Sequence, residues 1–179
     1  KTGGLLGGVL KTAAYQSYAD YIVNYLKAYS AEGLPISMLT IQNEPHAIVP
    51  WPSMWMSATE SANFIGSFLG PALAISGTGT SIIIWDHNWQ DESAVPGQQF
   101  YPLEVLGNAT ARQYISGVAF HCYGGDPSIQ SYVRSQYPTQ DVYLTECSGG
   151  DWDNGNELRE VMWTLVNTIP WDYMFPNIL

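Results

Sequence analysis

A chain of 179 residues with 46% hydrophobic side chains is long enough to bury a core of its own and falls within the size of one domain. Its 16 acidic and 6 basic side chains leave a formal charge of −10, which disfavours nucleic acid and anionic membrane surfaces and favours a neutral, sugar-like substrate. No run approaches the roughly 18 apolar residues of a membrane span, so no stable membrane insertion is expected, and Leu5-Leu6-Gly7-Gly8-Val9-Leu10 is too short and Gly-broken for a signal peptide.

In chain order, Tyr18, Tyr21, Ile22, Tyr25, Leu26 and Tyr29 recur at helical spacing with Gly33 beyond them, which predicts a helix over residues 14–31. Residues 37–42 read as a buried strand. Ser57-Ala58-Thr59-Glu60 has capping-box spacing and opens a helix through Phe64, Ile65 and Phe68, expected to break at Gly70-Pro71. Further strands are expected over 81–85, 117–122 and 142–145, with a short helix over 98–106. Asp126-Pro127 is read as N-cap and first residue of another helix. A final helix carries Leu158, Val161, Met162, Leu165, Val166 and Ile169 on one stripe, and the tail from Trp171 to Leu179 reads as a ragged end.

Four strands alternating with helices point to parallel βαβ units. A closed (β/α)8 barrel needs eight strands and typically about 250 residues, so residues 1–179 are expected to form a single partial barrel, ragged at both ends. Such a piece would expose an apolar face and two sheet edges, which points to self-association through those edges.

Each strand delivers polar chemistry at its C-terminal end: Asn43-Glu44-Pro45 after the first, Asp86-His87-Asn88-Trp89 after the second, His121-Cys122-Tyr123 after the third, Glu146 after the fourth. Packing alone does not predict this, although each has an ordinary reading: a turn for Glu44, a strand exit for Glu146, a cap for Asp86, a core histidine for His121. His46, His87, His121 and Asp86 are suitable metal ligands, but none shows a ligand spacing such as His-x-x-x-His, and no metal or other cofactor is expected. The 7 Trp and 12 Tyr serve core packing or stacking on sugar faces, the latter chiefly in Trp51-Pro52-Ser53-Met54-Trp55-Met56. Asn108-Ala109-Thr110 is a glycosylation sequon, which together with few lysines and the acidic balance favours an extracellular, secreted protein. Cys122 and Cys147 each follow a pocket residue, so both would point away from the barrel interior; a disulfide and two buried thiols are both consistent with that.

The segments Leu39-Thr40-Ile41-Gln42-Asn43-Glu44-Pro45, Asp86-His87-Asn88, Ala119-Phe120-His121-Cys122-Tyr123 and Leu144-Thr145-Glu146-Cys147 resemble glycoside hydrolase family 30, the glucosylceramidase and β-1,6-glucanase family. Lys1-Thr2 with the following glycines resembles the exit from that family's third strand, and the likeness runs to about Thr168. The resemblance implies strands four to seven of a TIM barrel and a retaining β-glycosidase acting on a β-glucoside or β-glucan. By it, Glu44 matches the acid/base, Glu146 the nucleophile, Asn43 the partner of the sugar 2-hydroxyl, and Tyr123 the ring that contacts the nucleophile. Asp86, His87 and His121 match further pocket positions, and Trp89, in the same strand-end run, is expected to bind substrate with them. Retention requires carboxyl groups about 5–5.5 Å apart, and neighbouring charge and burial are expected to raise the pKa of Glu44 while Glu146 stays ionised. A carbohydrate-binding remnant without turnover is the alternative, since strands one to three and eight are not identifiable; a metal-dependent hydrolase is a third reading.

Overall fold

A computed structural model describes residues 6–91 and 99–148. The expected final helix, the tail, the Lys1-Thr2 opening and Gln98 lie outside the described residues.

Four parallel strands form the main sheet in chain order: β2 (Met38–Thr40), β4 (Ser81–Asn88), β5 (Ile115–His121) and β6 (Asp141–Glu146). A second, two-stranded parallel ladder that the sequence reading did not anticipate pairs β1 (Gly8–Val9) with β3 (Met54–Trp55). Helical segments occupy every crossover of the main sheet: α2 (Ala58–Phe64) and α3 (Gly70–Ser76) between β2 and β4, α4 (Tyr101–Gly107) and α5 (Ala109–Arg112) between β4 and β5, α6 (Ser128–Gln136) between β5 and β6. Strand side chains alternate between faces. Ile82, Ile84, Val118, Phe120, Val142 and Leu144 enter the apolar cluster shared with the helices, and residues between them face the other way.

α1 (Tyr15–Ala31) forms where its periodicity predicts, but its buried stripe is Tyr15, Ala19, Ile22, Val23 and Leu26. Tyr21, Tyr25 and Tyr29 are exposed, and the last two rings meet at a tilt with centroids 4.6 Å apart. Spacing four apart is satisfied by either face of a helix, and small Ala19 marks the side that packs closest. Gly33 then adopts φ +78°, the left-handed conformation that ends the helix while Leu34 N–H donates back to the Tyr29 carbonyl.

The capping box forms as expected: Ser57 N–H donates to Glu60 Oε2 at 2.9 Å, and Glu60 N–H to Ser57 Oγ at 3.3 Å. The expected break at Gly70-Pro71 does not occur. Ile65–Leu69 form a π-helical stretch, and Pro71 falls in the first turn of α3, so the helix runs on to Ser76. The π-helical turn just before it, in which Gly70 N–H donates to the Ile65 carbonyl five residues back, lets the helix pass a residue with no N–H to donate.

β4 runs three residues beyond its predicted end, since its pairing with β5 continues past a bulge: Trp85 pairs Ala119, then His87 pairs Phe120, leaving Asp86 extra. β6 bulges likewise, with Leu144 opposite Phe120 and Glu146 opposite His121, leaving Thr145 extra. Gly117 permits the β5–β6 approach, because a Cβ there would stand 2.5 Å from the Asp141 carbonyl oxygen. The start of α6 lies one residue later than predicted, with Asp126 Oδ1 accepting from Ser128 N–H at 2.8 Å. Asn108 is exposed, and its Oδ1 caps α5 by accepting from Thr110 and Ala111 N–H. Among the described residues no helix is long and apolar enough to cross a membrane.

Candidate active site

At the C-terminal ends of the four strands, side chains from each meet on a single imidazole. His121, the last residue of β5, is fully buried. Its Nε2 lies 3.1 Å from Asp86 Oδ1 and 3.6 Å from Glu146 Oε2, and its Nδ1 lies 3.1 Å from Glu44 Oε1. Both glutamates singled out from the sequence therefore contact the same ring. Glu44 is the more enclosed, its side chain 21% exposed against 45% for Glu146.

The two bulges explain this convergence. The extra residue Asp86 turns its carboxylate to accept from Thr40 Oγ1 at 2.7 Å, from Thr145 Oγ1 at 2.7 Å and from the His121 ring. Trp85 and Asp86 take φ +77° and +52°, and Glu44 takes +46°, a conformation disfavoured for residues other than glycine. Such strain persists where the surroundings over-determine it and clusters at functional sites. Glu44 itself lies in the turn beyond β2, and its N–H donates to the Asp86 carbonyl at 3.0 Å.

Charge follows from these bonds. For His121, burial is the largest single influence and favours the neutral ring. The hydrogen bonds to Asp86 and Glu44, with the charges of Asp86 and Glu146, outweigh it and push the pKa up to about 9. The ring is then an imidazolium that donates from both nitrogens. For Asp86, burial again acts first and upward, and is outweighed by the donors His121, Thr145 and Thr40, which hold the carboxyl below its ordinary value. The pKa of Glu44 is also lowered, chiefly by the His121 hydrogen bond, against burial. This corrects the expectation that Glu44 would be raised: burial acts in the expected direction, but a charged donor 3.1 Å away is stronger. His87 is lowered, mainly by burial, and its Nδ1 stands 3.7 Å from Glu44 Oε1.

Tyr123 donates its hydroxyl to Glu146 Oε1 at 3.0 Å, and its own N–H is held by Asn88 Oδ1 at 3.3 Å. Asn43 is exposed on the approach to Glu44. Trp89 stands apart from the expected arrangement. Its side chain is in the apolar core, 5% exposed, which leaves little ring face for a sugar, while Trp51 on the loop after Glu44 is 60% exposed. His46 joins neither carboxylate; it lies flat on Trp55 and its Nδ1 is 2.9 Å from both oxygens of Asp91. Thr40, Thr145 and Asn88 also serve the site, beyond the residues the sequence points to. The signal for the threonines was a hydroxyl inside an otherwise apolar strand end.

Cys122 and Cys147 are joined as a disulfide, Cα–Cα 5.1 Å, within the cluster facing the helices. It resolves the two readings left open by the sequence and joins the chain just past the ends of β5 and β6, one residue beyond His121 and Glu146.

Residues 1–166 match the model of the glycosyl hydrolase family 30 TIM-barrel domain. The chain belongs to this family. It is 38% identical over 154 residues to endo-1,6-beta-D-glucanase neg1 of Aspergillus fumigatus, covering 82% of this chain and 29% of that protein. It is 30% identical over 182 residues to putative glucosylceramidase 4 of Caenorhabditis elegans, covering 89% and 34%. Among solved structures, the endo-β1,6-glucanase BT3312 superposes with a TM-score of 0.81 at 34% identity, covering 88% of this chain and 34% of that one. SrfJ from Salmonella typhimurium does so at 0.79 and 30%, covering 93% and 37%. The chain thus spans about a third of the length of the family 30 relatives it matches, and its four-stranded parallel sheet is part of a (β/α)8 barrel.

Proposed function

We propose that this chain carries the catalytic centre of a retaining β-glycosidase, with Glu146 as nucleophile and Glu44 as acid/base, acting on a β-glucan or β-glucoside. The observation that carries the reading is the shared contact of both carboxylates with His121. Relatives named as an endo-1,6-beta-D-glucanase and a putative glucosylceramidase support the substrate class.

In this mechanism Glu146 attacks the anomeric carbon as the glycosidic bond breaks, and Glu44 gives its proton to the departing oxygen. The glycosyl-enzyme is then opened by water, from which Glu44 takes a proton, and Glu146 leaves as carboxylate. The depressed pKa of Glu44 fits this role once Glu44 and His121 are treated as one titrating pair. The pair holds a transferable proton at neutral pH: it rests on His121 Nδ1 in the empty site and passes to Glu44 when substrate excludes water and makes the carboxylate harder to charge. Tyr123 fixes the rotamer of Glu146 and supports its charge. Three carboxylates around one imidazolium leave the centre net negative, which favours the oxocarbenium-like transition state. Trp51 offers an exposed ring for the apolar face of a sugar beyond the cleavage point. A secreted location accords with the disulfide, which persists in oxidising compartments.

A 2-deoxy-2-fluoro-β-glucoside with a good leaving group tests the assignment. It should label Glu146, located by peptide mapping, and Glu146→Gln should reduce turnover by about 1000-fold or more. A label on another residue overturns it. Sugar binding without any turnover would instead favour the carbohydrate-binding reading.

A further inference from the structure

Three polar atoms converge at one point of the pocket in a way that the hydrolytic reading leaves partly unused. Glu44 Oε1 is 3.1 Å from His121 Nδ1 and 3.7 Å from His87 Nδ1, and one donor atom from each of the three residues lies within 4.8 Å of the others. His87 is 6% exposed, and among the described residues its Nδ1 has no hydrogen-bond partner. A buried ring nitrogen directed at a carboxylate, yet too far to bond it, is an open ligand position. In tetrahedral zinc sites with bonds of about 2.0–2.1 Å, neighbouring ligand atoms stand about 3.3–3.4 Å apart. The separations of 3.1 and 3.7 Å fall on either side of that value.

The surroundings of His121 complete the pattern. Its Nε2 is tied to Asp86 Oδ1 at 3.1 Å, and Asp86 is itself anchored by Thr40 and Thr145. A carboxylate that orients one imidazole nitrogen while the other faces the cation is the arrangement found behind metal-binding histidines. Two imidazoles and a carboxylate suit a borderline cation such as Zn²⁺, whereas Mg²⁺ and Ca²⁺ prefer all-oxygen shells.

We propose that Glu44, His87 and His121 form a Zn²⁺ site whose occupation inhibits the enzyme. The cation takes the place of the proton on His121 Nδ1, which is released to solvent, and ties up the Glu44 carboxylate; the fourth position is open to water. This regulation rests on the reading of Glu44 as the acid/base, but the site itself does not.

Zn²⁺ titrated into the purified protein against a chromophoric chelator should bind at one equivalent, and inhibition of hydrolysis should follow the same concentration dependence. His87→Ala and His87→Asn, each verified as folded by thermal unfolding, should weaken binding by at least about 10-fold, while His46→Ala should leave it intact. Equal zinc affinity in both His87 variants, loss of the site in His46→Ala, or no binding at millimolar Zn²⁺ would each overturn the proposal. Failure of this titration leaves the labelling of Glu146 unaffected. Absence of turnover leaves the titration readable.

Discussion

Asp86 Oδ1 accepts from His121 Nε2 at 3.1 Å, so a carboxylate on one strand sets the charge of an imidazole on the next. Asp86→Asn retains the shape and removes the charge. The imidazolium shared with Glu44 should then lose its proton at lower pH. We expect kcat/KM at neutral pH to fall about 10- to 100-fold, the range for losing a charged hydrogen bond, and the alkaline limb of the pH–rate profile to move down. A variant that lowers rate equally at every pH would show that Asp86 does no more than support the fold.

The stability of the protein should carry the same signature. The pKa of His121 rises from 6.5 to about 9 on folding, so its stabilisation is fully present below pH 6.5 and is lost as pH rises through about 9. At about 1.4 kcal/mol per pKa unit this amounts to something on the order of 3 kcal/mol. Asp86 and Glu44 are lowered, so their contribution is present above the ordinary carboxylate range and fades as pH falls through their depressed values. Urea unfolding between pH 6 and pH 10 should show the alkaline loss in the wild type and little of it in His121→Asn.

Tyr123 is 38% exposed, and its hydroxyl serves Glu146 and Ser148 rather than the core. Tyr123→Phe should leave stability within about 0.5 kcal/mol and lower kcat about 10-fold or more, with KM changed far less. Thermal unfolding with steady-state kinetics on an aryl β-glucoside separates the two effects.

The bridge between Cys122 and Cys147 closes a loop of sequence separation 25. Chain-entropy reasoning assigns such a closure about 3.5 kcal/mol. The Cys122→Ser, Cys147→Ser double variant should lose about that much in urea titrations. Turnover should fall as well, since the staple lies one residue beyond both His121 and Glu146.

The four main-sheet strands and two helix ends were legible because they depend on local pattern: apolar runs such as Ile82-Ile83-Ile84, Ser57 with Glu60, Gly33 after a helical stripe. Both glutamates were legible because each follows an apolar run into a polar turn. The bulges at Asp86 and Thr145 were not, since an extra residue is defined only against its partner strand, and their absence from the reading hid why Thr40 and Thr145 matter. Direction of charge was misjudged at Glu44 for a related reason. Burial can be anticipated from one segment, whereas a donor from a strand 77 residues away cannot. Trp89 and the α1 tyrosines show the same limit, because spacing reveals that a face exists without saying which side the core occupies.

The amide of Glu44 is anchored to the carbonyl of Asp86, and the excursion that follows is closed at its base where Met56 N–H donates to the Pro45 carbonyl at 3.0 Å. The tip between them, with Ile48 and Trp51 turned outward, is held at its base by these bonds and by the β1–β3 ladder. On the proposed role of Glu44, that tip can be rewritten to suit a different leaving group while the carboxylate stays registered to the neighbouring strand, so taste and chemistry would be inherited separately.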